Sequence, residues 1–288
     1  MSDRVRWRLF GEVETAKNWL VTTAIGGDYF ERWENFARDT WLRYARQHGL
    51  GIAVADLSED DEPQLNGSWQ KLLSMQSLRG VLGRAVRCAI IDTDVLMGDG
   101  APDVFGAVTP GKVGIVSQVR GMPTELARLN NRIAYLRAAF IDPEFPLVSL
   151  LNASPSQLFE WAGLSPVLED YACAGVIVAD TESHAEEFAR WYSEAPQTPE
   201  YLALGDWEQT YLNHRIQQLP EVQWMPYQGQ ALWVFEVAAY YPFLYSQDCP
   251  RDVAQWCLSA SLSRNHFVHM AGDGRAHSSS NEDQSGRA

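Results

Sequence analysis

The sequence predicts an α/β protein with a mostly parallel central sheet flanked by helices. Two observations carry this. Short apolar runs rich in β-branched residues recur at 18–25, 51–55, 87–91, 113–116 and 173–179. Stretches of helical periodicity, over 29–48 and 68–82, separate the first three, so the first hundred residues read β-α-β-α-β. That order implies parallel strands joined by right-handed crossovers.

Taken in order, residues 18–25 form the first buried strand, and Gly26-Gly27 breaks it. An amphipathic helix follows over 29–48, with Gly49 stopping it from the C′ position. A second strand, 51–55, ends at Asp56, and the acidic, proline-containing stretch 58–66 reads as a surface loop. Leu72, Leu73, Met75, Leu78, Val81 and Leu82 fall at helical spacing and lead into Arg87-Cys88-Ala89-Ile90-Ile91-Asp92-Thr93-Asp94-Val95-Leu96-Met97. Downstream come a strand at 113–116, a helix at 124–140 and an irregular stretch at 142–146. A short helix from Ser154-Pro155 to about Gly163 and a strand at 173–179 follow. Ser183 and Glu186 suggest a capping box for a helix running to Glu194. A helix at 206–218, strands at 222–225 and 231–235, and a helix at 252–262 complete the pattern. Residues 1–272 read as one domain, and the polar tail 273–288 as disordered.

The chain has 288 residues, 46% hydrophobic, which is enough for a sizeable core. A net charge of −14 argues against nucleic acid or an anionic membrane as the main partner. A phosphorylated ligand remains compatible, because a metal screens local acids. Cys88, Cys173, Cys249 and Cys257 show no C-x-x-C spacing and read as reduced thiols in a cytoplasmic protein. The first residues lack the apolar core of a signal peptide, and no apolar run approaches the ~20 residues of a membrane span. Of eleven tryptophans most belong in the core, and a few are candidate platforms for a flat ligand such as a sugar or base.

The stretch that points to chemistry is Asp92-Thr93-Asp94. Read as the end of a strand, its alternation puts both acids on one side. Unpaired carboxylates there are costly, and a shared hard cation, itself bound by a phosphate oxygen, relieves the cost. The bland alternative is a loop where the strand meets water. Ligands of parallel sheets bind at the carboxyl ends of the strands, where Gly26-Gly27, Asp56 and Asp92-Thr93-Asp94 all fall.

Five segments resemble, in order, the GT-A glycosyltransferases of the glycogenin and lipopolysaccharide-galactosyltransferase family. They are Trp69-Gln70-Lys71-Leu72; Ile90-Ile91-Asp92-Thr93-Asp94-Val95-Leu96; Ala172-Cys173-Ala174-Gly175-Val176; Glu208-Gln209-Thr210-Tyr211-Leu212-Asn213; and His269-Met270-Ala271-Gly272. Cys173 stands where that family has asparagine, Glu208 where it has aspartate, and Asp273-Gly274-Arg275 where it has Lys-Pro-Trp.

The resemblance implies a GT-A fold and a retaining transfer from a nucleotide sugar, a UDP-sugar, to a carbohydrate or small-molecule acceptor. It implies a metal site of Asp92, Asp94 and His269, suited to Mn²⁺ or else Mg²⁺, with His266 a weaker candidate. Lys71 would contact the diphosphate or sugar. Thr23, Ala24 and Tyr29 would hold the nucleoside, with Tyr29 stacking on the base, and Asp56 would bond base or ribose. Thr93 joins the donor site between the two acids. Glu208 and Gln209, on a helix facing the sugar, are the catalytic candidates for stabilising an oxocarbenium-like centre. Two alternatives stand beside this reading. One is a haloacid-dehalogenase-type phosphatase with Asp92 as nucleophile, disfavoured by Leu96 and by the two strands preceding the motif. The other is a catalytically silent sugar- or nucleotide-binding protein.

Overall fold

Alternate residues of the central strands feed two separate apolar cores. Leu20, Ile52, Val54, Ala89, Ile91, Val176 and Val178 face one, while Trp19, Val21, Ala53, Cys88, Ile90, Ile177 and Ala179 face the other. A sheet buried on both faces needs unbroken apolar runs, which is why these strands read as continuous rather than alternating.

The computed structural model describes residues 5–24, 29–57, 67–141, 153–203, 208–246 and 248–271. The strands are β1 (Val5–Gly11), β2 (Asn18–Ala24), β3 (Gly51–Leu57), β4 (Arg87–Ile91), β5 (Val95–Met97), β6 (Val113–Ser117), β7 (Ala172–Asp180), β8 (Val222–Met225), β9 (Ala231–Leu232) and β10 (Phe267–His269). The helices are α1 (Tyr29–Arg32), α2 (Arg38–His48), α3 (Lys71–Leu82), α4 (Leu126–Phe140), α5 (Pro155–Trp161), α6 (Thr181–Ser193), α7 (Pro199–Leu202), α8 (Glu208–Gln217), α9 (Trp233–Tyr240) and α10 (Arg251–Arg264).

Among the described residues a seven-stranded sheet has the order β1-β3-β2-β4-β7-β6-β8, and a small sheet the order β5-β10-β9. Strand β2 pairs in parallel with both β3 and β4, as the β-α-β-α-β reading requires. Strands β1 and β7 run against the rest, so the sheet is mixed but mostly of one direction. Helices α2, α4 and α9 cover one face with Trp41, Tyr44, Leu129, Ile133 and Phe235. Helices α3, α6 and α8 cover the other with Leu72, Met75, Leu78, Phe188, Trp191 and Leu212. Trp19, Trp33, Trp41, Trp69 and Trp191 are fully buried, whereas Trp256 is 68% exposed. Among the described residues no helix is long and apolar enough to cross a membrane, and the four cysteines are free thiols.

Several local expectations need correction. Strand β1 stands outside the expected pattern, although Val5-Arg6-Trp7-Arg8-Leu9 alternates as an edge strand does. The helix expected over 29–48 is interrupted by a wide π turn at Trp33–Ala37, and it ends as expected at Gly49, whose φ is 65°. The run 231–235 is not one strand: pairing stops at Leu232 and α9 begins at Trp233. An all-apolar run carries no period that separates the two states. Ser183 does not cap a helix. Strand β7 runs straight into α6 at Asp180, whose carboxylate is held by Arg87 at 2.8 Å. The capping box lies instead at Ser154 and Gln157, on α5. Gly26-Gly27, the loop 58–66, the stretch 142–146, the expected helix start at Asp206, Gly272 and the tail 273–288 lie outside the described residues.

Candidate metal and donor site

Asp92 and Asp94 do not alternate along a strand. Strand β4 ends at Ile91, and the acids occupy a tight turn in which Val95 N–H donates to Asp92 O at 3.2 Å. The turn is tethered on both sides. Asp92 N–H donates to Gly175 O on β7 at 3.0 Å, and Met270 N–H donates to Asp94 O at 3.1 Å. The chain then forms β5, which pairs with β10 so that Val95 lies opposite His269. Backbone pairing, not side-chain alternation, therefore sets the imidazole beside the two carboxylates.

His269 Nε2 lies 3.1 Å from Asp94 Oδ1 and 3.7 Å from Asp92 Oδ2. One ligand atom from each of the three residues falls within 4.8 Å of the others. The two carboxylates are about one-third exposed and the imidazole is buried, so the cluster opens to solvent on its acidic side. Burial alone would lower the His269 pKa, but the charge of Asp94 and the hydrogen bond to it outweigh burial and hold it well above the ordinary value. A cation entering here must displace that proton. Two hard oxygens and one imidazole nitrogen in a partly open site fit a divalent ion of the Mn²⁺ or Mg²⁺ kind better than a closed zinc centre. His266 does not join the cluster: its backbone N–H donates to Gln228 O, and burial lowers its pKa.

Behind Asp92 stands a buried ion pair. Lys71, the first residue of α3, places Nζ 2.7 Å from Asp92 Oδ1, 2.8 Å from Glu208 Oε1 and 3.3 Å from Ala174 O. Both Lys71 and Glu208 are almost fully buried. Burial by itself would lower the lysine pKa, but the charges of Asp92 and Glu208 prevail and raise it. The three N–H bonds of the ammonium have three acceptors, so Lys71 fixes which Asp92 oxygen remains available. Glu208 is thus tied to the acidic turn through Lys71.

Gln209, half-buried beside it, has its side chain bonded to the Tyr171 hydroxyl, which also bonds Thr210 Oγ1 at 2.8 Å. Asn213 locks α8 onto β7: its amide donates to Ala172 O at 2.8 Å and its carbonyl accepts from Ala172 N–H.

The other expected donor residues line the neighbouring strand ends. Thr23 and Ala24 close β2, and Ala24 lies opposite Asp56 on β3. The Asp56 carboxylate is bonded by Arg8 of β1 at 2.9 Å. Tyr29 opens α1 and is 43% exposed, with the Arg32 guanidinium 5.7 Å from its ring centroid. Thr93 is buried between the two acids.

Gln230 escaped sequence reasoning. It lies just before β9 with Nε2 2.8 Å from His269 Nδ1 and 2.7 Å from Cys173 Sγ. Nothing in Tyr227-Gln228-Gly229-Gln230 marks one glutamine from the other; only the pairing of β9 with β10 does so.

The sequence matches no protein-family model and no curated protein. Among solved structures it is similar to the crystal structure of a glycosyltransferase involved in the glycosylation of the major capsid of PBCV-1. The TM-score is 0.48 at 11% sequence identity, over 90% of this chain and 95% of that one. At that score and identity no residue role passes from one chain to the other.

Proposed function

We propose that this chain is a metal-dependent glycosyltransferase, a cytoplasmic enzyme with one transferase domain over 1–272. It would move a sugar from a nucleotide sugar, a UDP-sugar, to a hydroxyl of a carbohydrate or small-molecule acceptor, with retention of configuration. The observation that carries the reading is the convergence of Asp92, Asp94 and His269 at the end of a parallel strand, beside the buried Lys71–Glu208 pair.

In this reading Asp92, Asp94 and His269 would hold Mn²⁺ or Mg²⁺, which when bound supplies Lewis-acid stabilisation of the charge developing on the leaving diphosphate. The chain's own residues do the rest. Lys71 orients Asp92 through Oδ1 and leaves Oδ2 toward His269. Glu208, neutralised by Lys71, keeps that ammonium in place while excluding water from it. Gln209 is the group assigned to the sugar, its amide oxygen stabilising an oxocarbenium-like anomeric centre as the acceptor enters on the face the diphosphate leaves. Thr23 and Ala24 border the nucleoside, Asp56 accepts from base or ribose, and the exposed Tyr29 ring stacks on the base.

The test is a thermal-shift panel of nucleotide sugars with and without Mn²⁺. A true donor raises the melting temperature by mass action, and does so only with the metal. Release of nucleoside diphosphate with an acceptor mixture then completes the case. A panel with no metal-dependent shift, or hydrolysis of simple phosphate monoesters instead, overturns it.

A further inference from the structure

Gln230 is 1% exposed, and its Oε1 is buried without a hydrogen-bond partner among the described residues, while its Nε2 faces both His269 Nδ1 and Cys173 Sγ. A buried amide normally uses its oxygen. The oxygen and nitrogen of an amide occupy nearly the same shape, and a half-turn about the last side-chain bond exchanges them. The two arrangements have opposite consequences for the imidazole. With nitrogen toward the ring, the amide donates, Nδ1 accepts, and the proton of a neutral ring sits on Nε2. It then points at Asp92 and Asp94 and blocks coordination. With oxygen toward the ring, the amide accepts from Nδ1–H and from the Cys173 thiol, and the Nε2 lone pair faces the two carboxylates. The half-turn costs no bond at the far end, because Oε1 makes none there.

We infer that Gln230 is a positioning residue: its amide oxygen accepts from Nδ1–H and so fixes His269 in the tautomer whose Nε2 can ligate a cation. Partners of this kind orient imidazole ligands and raise their affinity for metal. A second observation agrees. A methyl group on Gly175 would lie 2.4 Å from Gln230 Nε2 and 2.5 Å from His269 Nδ1, so glycine clears the space in which amide and ring meet. The inference rests on the metal reading of Asp92, Asp94 and His269.

Calorimetric titration of the full chain with Mn²⁺ alone, without nucleotide sugar, tests it. Gln230→Met removes the acceptor at similar volume, and Gln230→Glu keeps an oxygen toward Nδ1. Gln230→Met should weaken Mn²⁺ binding about 10- to 100-fold, with Gln230→Glu close to the parent. Unchanged affinity in Gln230→Met, or equal loss in both variants, overturns the inference. A parent chain that binds no Mn²⁺ overturns the metal reading itself, a distinct failure. Should the variants not fold, ring ¹⁵N spectra of the parent chain loaded with Zn²⁺ decide the matter: a proton on Nδ1 is expected, and a proton on Nε2 overturns the assignment.

Discussion

Gly175 on β7 and His269 on β10 approach so closely that a Cβ on the glycine would lie 2.5 Å from both Nδ1 and Cε1 of the ring. Real Cβ contacts are never that short, so any side chain at 175 must push β10 or Gln230 away. Gly175→Ala should destabilise the fold by about 1–3 kcal/mol, as overpacking does, and abolish Mn²⁺ binding. Gly51→Ala is the control. Its Cβ would meet the Trp19 ring at 2.6 Å, far from the acidic turn, so it should cost similar stability and spare metal binding. Urea denaturation with Mn²⁺ calorimetry on both variants checks the contrast.

The Lys71–Glu208 pair makes a prediction about stability. Lys71→Met leaves Glu208 buried with an uncompensated charge, at a cost of about 3–5 kcal/mol. Adding Glu208→Leu removes the orphaned charge and should recover much of the loss, because apolar replacement of a buried ion pair is often neutral. Chemical denaturation of parent, single and double variants measures this. A double variant no more stable than the single contradicts the pairing.

Asp94→Asn tests the metal role with the fold held constant. The side chain is about one-third exposed, and its backbone carbonyl, not its carboxylate, carries the bond to Met270. The variant should stay folded and melt cooperatively, at a lower temperature than the parent because buried His269 loses its charged partner, while Mn²⁺ binding and sugar transfer are lost. Retained transfer, or global unfolding, argues against ligation by Asp94.

Alkaline pH should weaken the fold in stages. Burial raises the pKa of the Cys88 thiol and of the Tyr44, Tyr171 and Tyr227 phenols. Above their ordinary values, about 8.5 for a thiol and about 10 for a phenol, the unfolded chain releases protons that the folded chain keeps. The folded state is then the one that binds more protons, so stability falls as pH rises. His269, held above its ordinary value of about 6.5, adds a loss that begins there, so urea midpoints should already decline from pH 7, fall further above about 8.5, and fall most steeply past about 10.

The sequence made the β2-α-β3-α3-β4 core legible because apolar runs and helical periods are local signals. The grouping of Asp92, Asp94 and His269 was legible for a weaker reason, resemblance in motif order. Strand alternation does not place the two acids, since they sit in a turn. What could not be read was pairwise. Lys71 and Glu208 were each singled out, but the contact between them depends on how α3 and α8 meet across β7. Gln230 carried no local signal. Strand β1 did carry one, and its omission also hid Arg8, the partner of Asp56.

His269 reaches the acidic turn on a strand joined to β5 by only three residue pairs. Seating of this last strand and occupancy of the cluster are therefore one equilibrium viewed from two ends. A cation bound between Asp94 and His269 would act as a rivet, and Mn²⁺ should then slow proteolysis of the α10–β10 segment. Conversely, peeling that segment away would dismantle the ligand set and uncover the core that Phe267, Val268 and Met270 share with the large sheet.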